Sequence, residues 1–362
     1  MTDFLTNLGW NDFFADQLDP AATLEGVLAR VTEEHKNNYR VLCELGDLAA
    51  ELSGRLRYEA QGGGELPAVG DWVRVSPRLN ERRATVQSLI PRRTAFRRKQ
   101  AGGGFGEQIV AANIDTTFIV SSLNSDLNLR RLERYLATAW ESGSEPVVVL
   151  TKADLCEDAE SAHARVATVA QGVQAVVVSA HHNTGVEALA PYLSVGKTCV
   201  LLGSSGVGKS TLVNRLAGRE ILATQLIGDD DTGRHTTTHR QLIVLPGGGM
   251  VIDTPGMREL GLAGQDDDES GVAQTFEDIE QLALQCQFSD CRHRTEPRCA
   301  IKQAIDDGTL DAQRFQSWIK LQRELAFHDG RSSFHAARQK NQQWKKARQN
   351  VRARVKFEGE GG

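Results

Sequence analysis

The sequence predicts a multidomain α/β protein, and three observations carry that expectation. Residues Tyr39 to about Pro91 have the texture of a small β unit, with short β-rich runs separated by glycine and polar turns. From Glu107 to about Gly264, apolar strand-like runs alternate with helix-patterned segments, which implies a sheet with crossover helices. Further on, three cysteines and a histidine cluster in a helical, increasingly basic C-terminal region. The expected division is a leader over 1–36, a barrel over 37–100, an α/β domain over 107–264 and a helical domain with a basic tail over 270–357.

Within the leader, Leu24, Val27, Leu28 and Val31 repeat at helical spacing. The barrel strands are Tyr39 to Leu45, Val69 to Val75 and Ala84 to Ile90, with a break at Gly62-Gly63-Gly64. The size suits a small five-stranded barrel. Arg92 to Gly106 is basic and glycine-rich and reads as a linker or mobile loop. In the α/β domain, strands are expected at Thr116 to Ser121, Pro146 to Leu150, Ala175 to Ser179, Thr198 to Leu202, Gln241 to Leu245 and Met250 to Asp253. Helices are expected at Asn128 to Ser142, Glu157 to Gly172 and Lys209 to Ala217.

Gly203-Ser204-Ser205-Gly206-Val207-Gly208-Lys209-Ser210 matches a phosphate-binding loop in full, and Thr211 follows it. Glycines let backbone N–H groups wrap phosphates, and the helix N-terminus adds partial positive charge. Lys209 suits the β- and γ-phosphates, and the Ser210 hydroxyl suits Mg²⁺. Asp253-Thr254-Pro255-Gly256 ends a strand-like run: Asp253 can hold Mg²⁺ through water, and the Gly256 N–H can sense a γ-phosphate. Thr151-Lys152-Ala153-Asp154 also follows a strand. The Asp154 carboxylate can accept from guanine N1–H and N2–H₂, donors that adenine lacks. Lys152 packs its stem along the base, and after Ser179 the Ala180 N–H can meet guanine O6. Between the phosphate loop and Asp253, Thr237 is the expected Mg²⁺ ligand, with Thr236 and Thr238 open as alternatives. The residue after Asp-x-x-Gly is Met257, which cannot orient a water, so His235 is the candidate for that role. Slow hydrolysis, raised by a partner, is expected. The order is the informative part. A base-reading loop upstream of the phosphate loop inverts the usual arrangement and points to a circularly permuted GTP-binding domain.

Cys286-x₄-Cys291-x-His293-x₅-Cys299 offers three thiolates and one imidazole, the donor set of a closed structural zinc site. Without a secretory signal such a cluster is expected to bind metal rather than form disulfides. Met1 to Leu5 lacks a signal-peptide pattern, and no apolar run is long enough for a membrane helix, so a cytoplasmic protein without membrane contact is expected. The net charge of −5 conceals an asymmetry: Arg331 to Phe357 holds nine Lys or Arg and no acid, interleaved with Phe334, Trp344 and Phe357. A basic tail with aromatics suits RNA.

Taken together, these residues resemble the ribosome small subunit-dependent GTPase A family (RsgA, also called YjeQ or YloQ). The resemblance rests on Val69-Gly-Asp-Trp-Val73, Thr151 to Asp154, Gly203 to Thr211, Gly233 to Thr238, Asp253 to Leu260 and the Cys/His cluster. It implies an N-terminal OB-fold barrel, a circularly permuted P-loop GTPase domain and a C-terminal zinc-binding helical domain. It also implies GTP, Mg²⁺ and one structural Zn²⁺, and a monomer that binds the 30S subunit and its rRNA late in maturation. In the family, GTP hydrolysis is stimulated by that particle. The base-reading motif opens with Thr151 where Asn is commoner, so a weaker tie from that loop to the phosphate loop is expected. Two alternatives stay open: a GTP-sensing RNA chaperone, or a GTPase acting on another ribonucleoprotein. About 30 residues separate Gly256 from Cys286, which suggests that hydrolysis relaxes this segment and shifts the zinc domain.

Overall fold

The computed structural model describes residues 3–18, 26–35, 38–60, 62–99, 107–124, 127–222, 240–253 and 271–326. Two short helices come first, α1 (Asp3–Asn7) and α2 (Asp12–Asp16). A five-stranded barrel follows: β1 (Val27–His35), β2 (Asn38–Cys43), β3 (Gly46–Leu52), β4 (Trp72–Arg78) and β5 (Arg83–Leu89), with α3 (Gly54–Glu59) between β3 and β4. The strand order β1-β2-β3-β5-β4 closes because β4 pairs back onto β1. The β3–β5 contact is parallel, as Greek-key OB barrels require. Ala29, Val31, Val41, Leu48, Val73, Val75, Ala84 and Val86 fill the interior.

The barrel therefore begins at Val27 rather than at residue 37. Val27, Leu28 and Val31, read from the sequence as helical, lie in β1. The reason is tertiary: β1 is hydrogen-bonded to β2 and β4 in the barrel, so its backbone partners favour the extended form over local spacing. Leu24 lies outside the described residues. The start of the chain is itself packed. Trp10 and Phe14 are buried, and Trp10 meets Trp72 edge-on at 4.9 Å between ring centroids. Arg30 of β1, also buried, donates to the carbonyls of Leu8, Gly70 and Asn113, so one guanidinium joins the leader, the barrel and the next domain.

The expected linker is also structured where it is described. Arg92 chelates the buried Asp71 carboxylate through Nε and Nη2, at 2.8 and 2.7 Å. Then β6 (Ala95–Lys99) pairs with β7 (Glu107–Ala112) as an antiparallel ribbon. Residues 100–106, with the glycine run, lie outside the described residues.

The α/β domain contains β8 (Thr116–Ser122), α4 (Leu129–Glu141), β9 (Glu145–Thr151), α5 (Ala159–Ala167), β10 (Ala175–Val177), β11 (Thr198–Leu202), α6 (Lys209–Ala217), β12 (Arg240–Val244) and β13 (Met250–Asp253). In space the order is β10-β9-β8-β11-β13-β12, parallel except for β12. Strand β11 is wholly buried between β8 and β13, which explains its unbroken apolar run. The sheet does not stop at the domain edge. β12 pairs with β1 at Glu33↔Gln241 and Glu34↔Arg240, and Arg240 Nη1 lies 3.1 Å from Glu34 Oε2.

The C-terminal region comprises α7 (Gly271–Thr275), α8 (Glu277–Ala283), α9 (Ala300–Asp306) and α10 (residues 312–326). Phe276, Ile279, Ile301, Phe315 and Leu321 form its core together with Ala137 of α4. Gly271 sits so close that a Cβ would lie 2.1 Å from the Ala137 carbonyl oxygen, and its N–H donates to Glu141. Buried Arg314 of α10 donates to Glu133 of α4 at 3.0 Å and to both oxygens of Asp278 at 2.7 and 2.9 Å. The helical domain is thus keyed to α4. This bears on the expected shift of the zinc domain: its first described helix is fastened to the sheet domain, while 254–270 lies outside the described residues.

Candidate functional site

The phosphate-loop residues gather at the end of the central strand. Gly203 leaves β11 against β8, and a Cβ there would lie 2.3 Å from the Val120 carbonyl oxygen, so only glycine fits. Gly208 takes the left-handed conformation, φ +96°, that turns the chain into α6. Ser205, Gly206 and Thr211 face solvent, Val207 is buried beneath them, and Ser204 and Ser210 are half-buried. The Lys209 ammonium folds back to donate to the Gly203 and Ser204 carbonyls at 2.8 and 2.6 Å. A loop with exposed backbone at a helix N-terminus and a lysine arched over it can receive phosphate oxygens.

Asp253 ends β13, whose Ile252 pairs with Val200 of β11, so the carboxylate stands beside the loop. Burial raises its pKa above the ordinary carboxylate value, and the charge of Lys209 partly opposes that rise. A half-buried carboxylate in the field of one cation is suited to a divalent ion. Gly256, His235 and Thr237, with Thr236 and Thr238, lie outside the described residues, as does the basic tail from Arg331.

The base-reading loop is physically joined to the phosphate loop. Thr151 is buried at the end of β9, and its Oγ1 donates to the Val207 carbonyl at 2.5 Å. Threonine in place of asparagine thus still ties the base-reading loop to the phosphate loop, through this one hydrogen bond. Lys152 is left-handed, φ +59°, and Ala153 N–H donates to the Val178 carbonyl. Asp154 is exposed and accepts from the Ser179 hydroxyl at 2.6 Å, which holds its carboxyl below the ordinary value. The Ser179 oxygen also accepts the His182 N–H at 3.2 Å, fixing the hydroxyl toward Asp154. Motif reading missed Arg215. From α6 it donates to the carbonyls of Ala180 and His181 at 2.9 and 3.1 Å, fastening the Ser179–Ala180 loop to the helix that carries Lys209 and Ser210. No motif marks it, and only its place on α6 facing that loop reveals it.

The cysteine cluster forms a second site. The ligand atoms of Cys286, Cys291, His293 and Cys299 all lie within 4.8 Å of one another. Cys286 Sγ is 3.8 Å from Cys299 Sγ, and His293 Nδ1 is 3.6 and 3.4 Å from those two sulfurs. Tetrahedral zinc with Zn–S near 2.3 Å and Zn–N near 2.0 Å sets ligand–ligand edges of about 3.8 and 3.6 Å. The observed spacings match those edges. Burial raises the Cys286 thiol, but N–H groups of Ala300 and Ile301 and the neighbouring thiols outweigh it, leaving the pKa below the ordinary value. Burial lowers the His293 imidazole, favouring the neutral form that a metal requires.

Comparison with known proteins gives these sites a context. Residues 89–263 match a family model described as RsgA GTPase. The "Small ribosomal subunit biogenesis GTPase RsgA" of Opitutus terrae is 47% identical over 364 residues, covering 98% of this chain and 99% of that protein. The "Small ribosomal subunit biogenesis GTPase RsgA 2" of Lactiplantibacillus plantarum is 48% identical over 302 residues, covering 83% of this chain and 84% of that protein. Among solved structures, YjeQ from Thermotoga maritima is similar with a TM-score of 0.61 at 26% identity, covering 83% of this chain and 98% of that one. YloQ, described as a circularly permuted GTPase, shares the fold at 22% identity, with a TM-score of 0.59 over 85% of this chain and 98% of its own.

Proposed function

This chain belongs to the RsgA GTPase family, and from that premise we propose that it binds the small ribosomal subunit late in maturation and hydrolyses GTP to GDP under stimulation by it. The observation that carries the reading is 47% identity over an alignment that covers 98% of the chain, so that barrel, GTPase domain and cysteine domain are all included.

The residues divide the work as follows. Gly203 to Thr211 cradles the phosphates, and Lys209 exchanges its two loop carbonyls for β- and γ-phosphate oxygens. Ser210, Asp253 and Thr237 hold Mg²⁺, which neutralises charge on the phosphates. Asp154 reads guanine, aimed by Ser179, with Lys152 along the base and the Ala180 N–H toward O6. Thr151 links the two halves of the site, so base recognition and phosphate position are set together. Gly256 senses the γ-phosphate, and His235 orients the water, since Met257 cannot. Cys286, Cys291, His293 and Cys299 hold one structural Zn²⁺. The barrel, the zinc domain and the basic tail contact rRNA. The protein works as a cytoplasmic monomer; among the described residues no helix is long and apolar enough to cross a membrane.

Gradient co-sedimentation tests the partner. With a non-hydrolysable GTP analogue the protein should travel with 30S subunits and leave them with GDP. Migration with 50S subunits, or with neither, would refute the assignment.

A further inference from the structure

The loop after β10 is held from two directions, and one of its main-chain donors is left open. Ser179 and Thr184 exchange backbone hydrogen bonds at 2.9 and 3.0 Å, which closes the tip from Ala180 to Asn183. Ala180 is buried, and among the described residues its N–H meets no acceptor. A donor on a buried residue is ordinarily paired, so an open one is a place for a ligand's acceptor. The direction of this N–H is set. It shares a trans peptide plane with the Ser179 carbonyl and points the opposite way, and that carbonyl is held by the Thr184 N–H. The carboxylate beside it is keyed to the same residue, since Asp154 accepts from the Ser179 hydroxyl at 2.6 Å.

Arg215 holds the other side of Ala180. An arginine in the last turn of a helix commonly bonds that helix's own terminal carbonyls or complements its dipole. Arg215 stands in the last turn of α6 but reaches across to this loop, Nε to the Ala180 carbonyl at 2.9 Å and Nη2 to the His181 carbonyl at 3.1 Å. Among the described residues it makes no ion pair, so the guanidinium fork serves these two successive carbonyls. The peptide planes on both sides of Ala180 are thus fixed, by Thr184 before it and by Arg215 after it. The same helix begins with Lys209 and Ser210, so the phosphate grip and the clamp on Ala180 sit on one rigid element.

We propose that Arg215 is a positioning residue for guanine specificity, holding the Ala180 N–H where it meets the purine O6. Adenine presents an amino group at that position, donor against donor, which a fixed N–H rejects and a loosened one can avoid. The proposal rests on the reading of this pocket as a GTP site and deepens it.

The test titrates the full chain, by competition against a fluorescent GDP analogue, with GDP, 6-thio-GDP and inosine diphosphate. Sulfur in place of O6 is a weaker acceptor but leaves N1–H and N2–H₂ for Asp154, whereas inosine keeps O6 and loses only the 2-amino group. In Arg215→Met the preference for GDP over 6-thio-GDP should fall about fivefold, the worth of one hydrogen bond. The preference for GDP over inosine diphosphate should stay as in the wild type. Each preference is a ratio within one variant, so a general loss of affinity or stability cancels. Arg215 is exposed and methionine is a good helix former, so α6 is retained. An unchanged 6-thio ratio, an equal fall in both ratios, or a wild-type chain indifferent to sulfur at this position overturns the proposal. A wild-type chain that binds ADP as tightly as GDP would sink the guanine reading itself, whereas unchanged ratios in a guanine-selective chain sink only the role given to Arg215.

Discussion

Replacing Arg314 by methionine should loosen the helical domain without disturbing the nucleotide loops. The guanidinium is 4% exposed and donates to Glu133, to both oxygens of Asp278 and to the carbonyls of Thr275 and Val169. It also lies 4.8 Å from the centroid of the Phe276 ring. Breaking a buried pair by removing one partner typically costs about 3–5 kcal/mol, because the remaining charge stays buried. Here two features place the loss near the lower end. Glu133 keeps Arg130 at 2.6 Å, and the side chain of Asp278 is 23% exposed and can hydrate. A cost of about 3 kcal/mol corresponds to about a 150-fold change in an opening equilibrium. Hydrogen exchange of amides in α8 and α9 should speed up by about that factor, while exchange in β8 and β11 stays as in the wild type. Exchange in α8 and α9 that rises less than threefold would show that the ion cluster does not key the helical domain to α4.

Four other outcomes are expected. Thr151→Val keeps the shape of the side chain but removes its hydroxyl bond to Val207, so affinity for a fluorescent GDP analogue should fall about fivefold, the worth of about 1 kcal/mol. Burial holds the Asp253 carboxyl above its ordinary value of 3.8, so it takes up a proton earlier as the solution is acidified. Mg²⁺-dependent GTP affinity should therefore begin to fall above the ordinary carboxylate range, and Asp253→Asn should abolish that pH dependence along with most of the Mg²⁺ effect. Metal analysis of protein purified without chelators should find one zinc per chain, and Cys291→Ala should lower it well below stoichiometric. His235→Ala should leave GTP binding unchanged and remove most of the partner-stimulated turnover; intact stimulated turnover would take that role from His235.

The parts most legible in the sequence are those in which chemistry dictates residue type at fixed spacing. The phosphate loop, the strand before it and α6 after it follow from one glycine-rich motif between an apolar run and a helical pattern. The four cysteine-cluster residues come together as their donor types imply. What was not legible depends on partners distant in the chain. Val27, Leu28 and Val31 fit helical spacing better than strand alternation, and only pairing with β2 and β4 makes the segment a strand. β3 has only a faint signature: Leu48, Ala50 and Leu52 alternate with exposed residues, but alanine and acids mask the β signal. Arg92 was read as a linker residue since nothing local marks Asp71, twenty-one positions away, as its buried partner. Arg30 and Arg314 belong to the same class. A lone arginine carries no sign that carbonyls and carboxylates from other elements will enclose it.

The continuous sheet also gives the GTPase domain a mechanical connection to the barrel. β12 emerges from the segment that carries His235 and Thr237 and pairs directly with β1. The strand after that segment thus lies at the barrel edge, where the Glu34–Arg240 pair joins the two.

The central claim, a GTPase whose turnover is governed by the small ribosomal subunit, is tested most directly by multiple-turnover GTP hydrolysis with and without purified 30S subunits. The account predicts slow hydrolysis alone and a rise of at least tenfold with 30S subunits, absent with 50S subunits. An equal rate in all three conditions would contradict it.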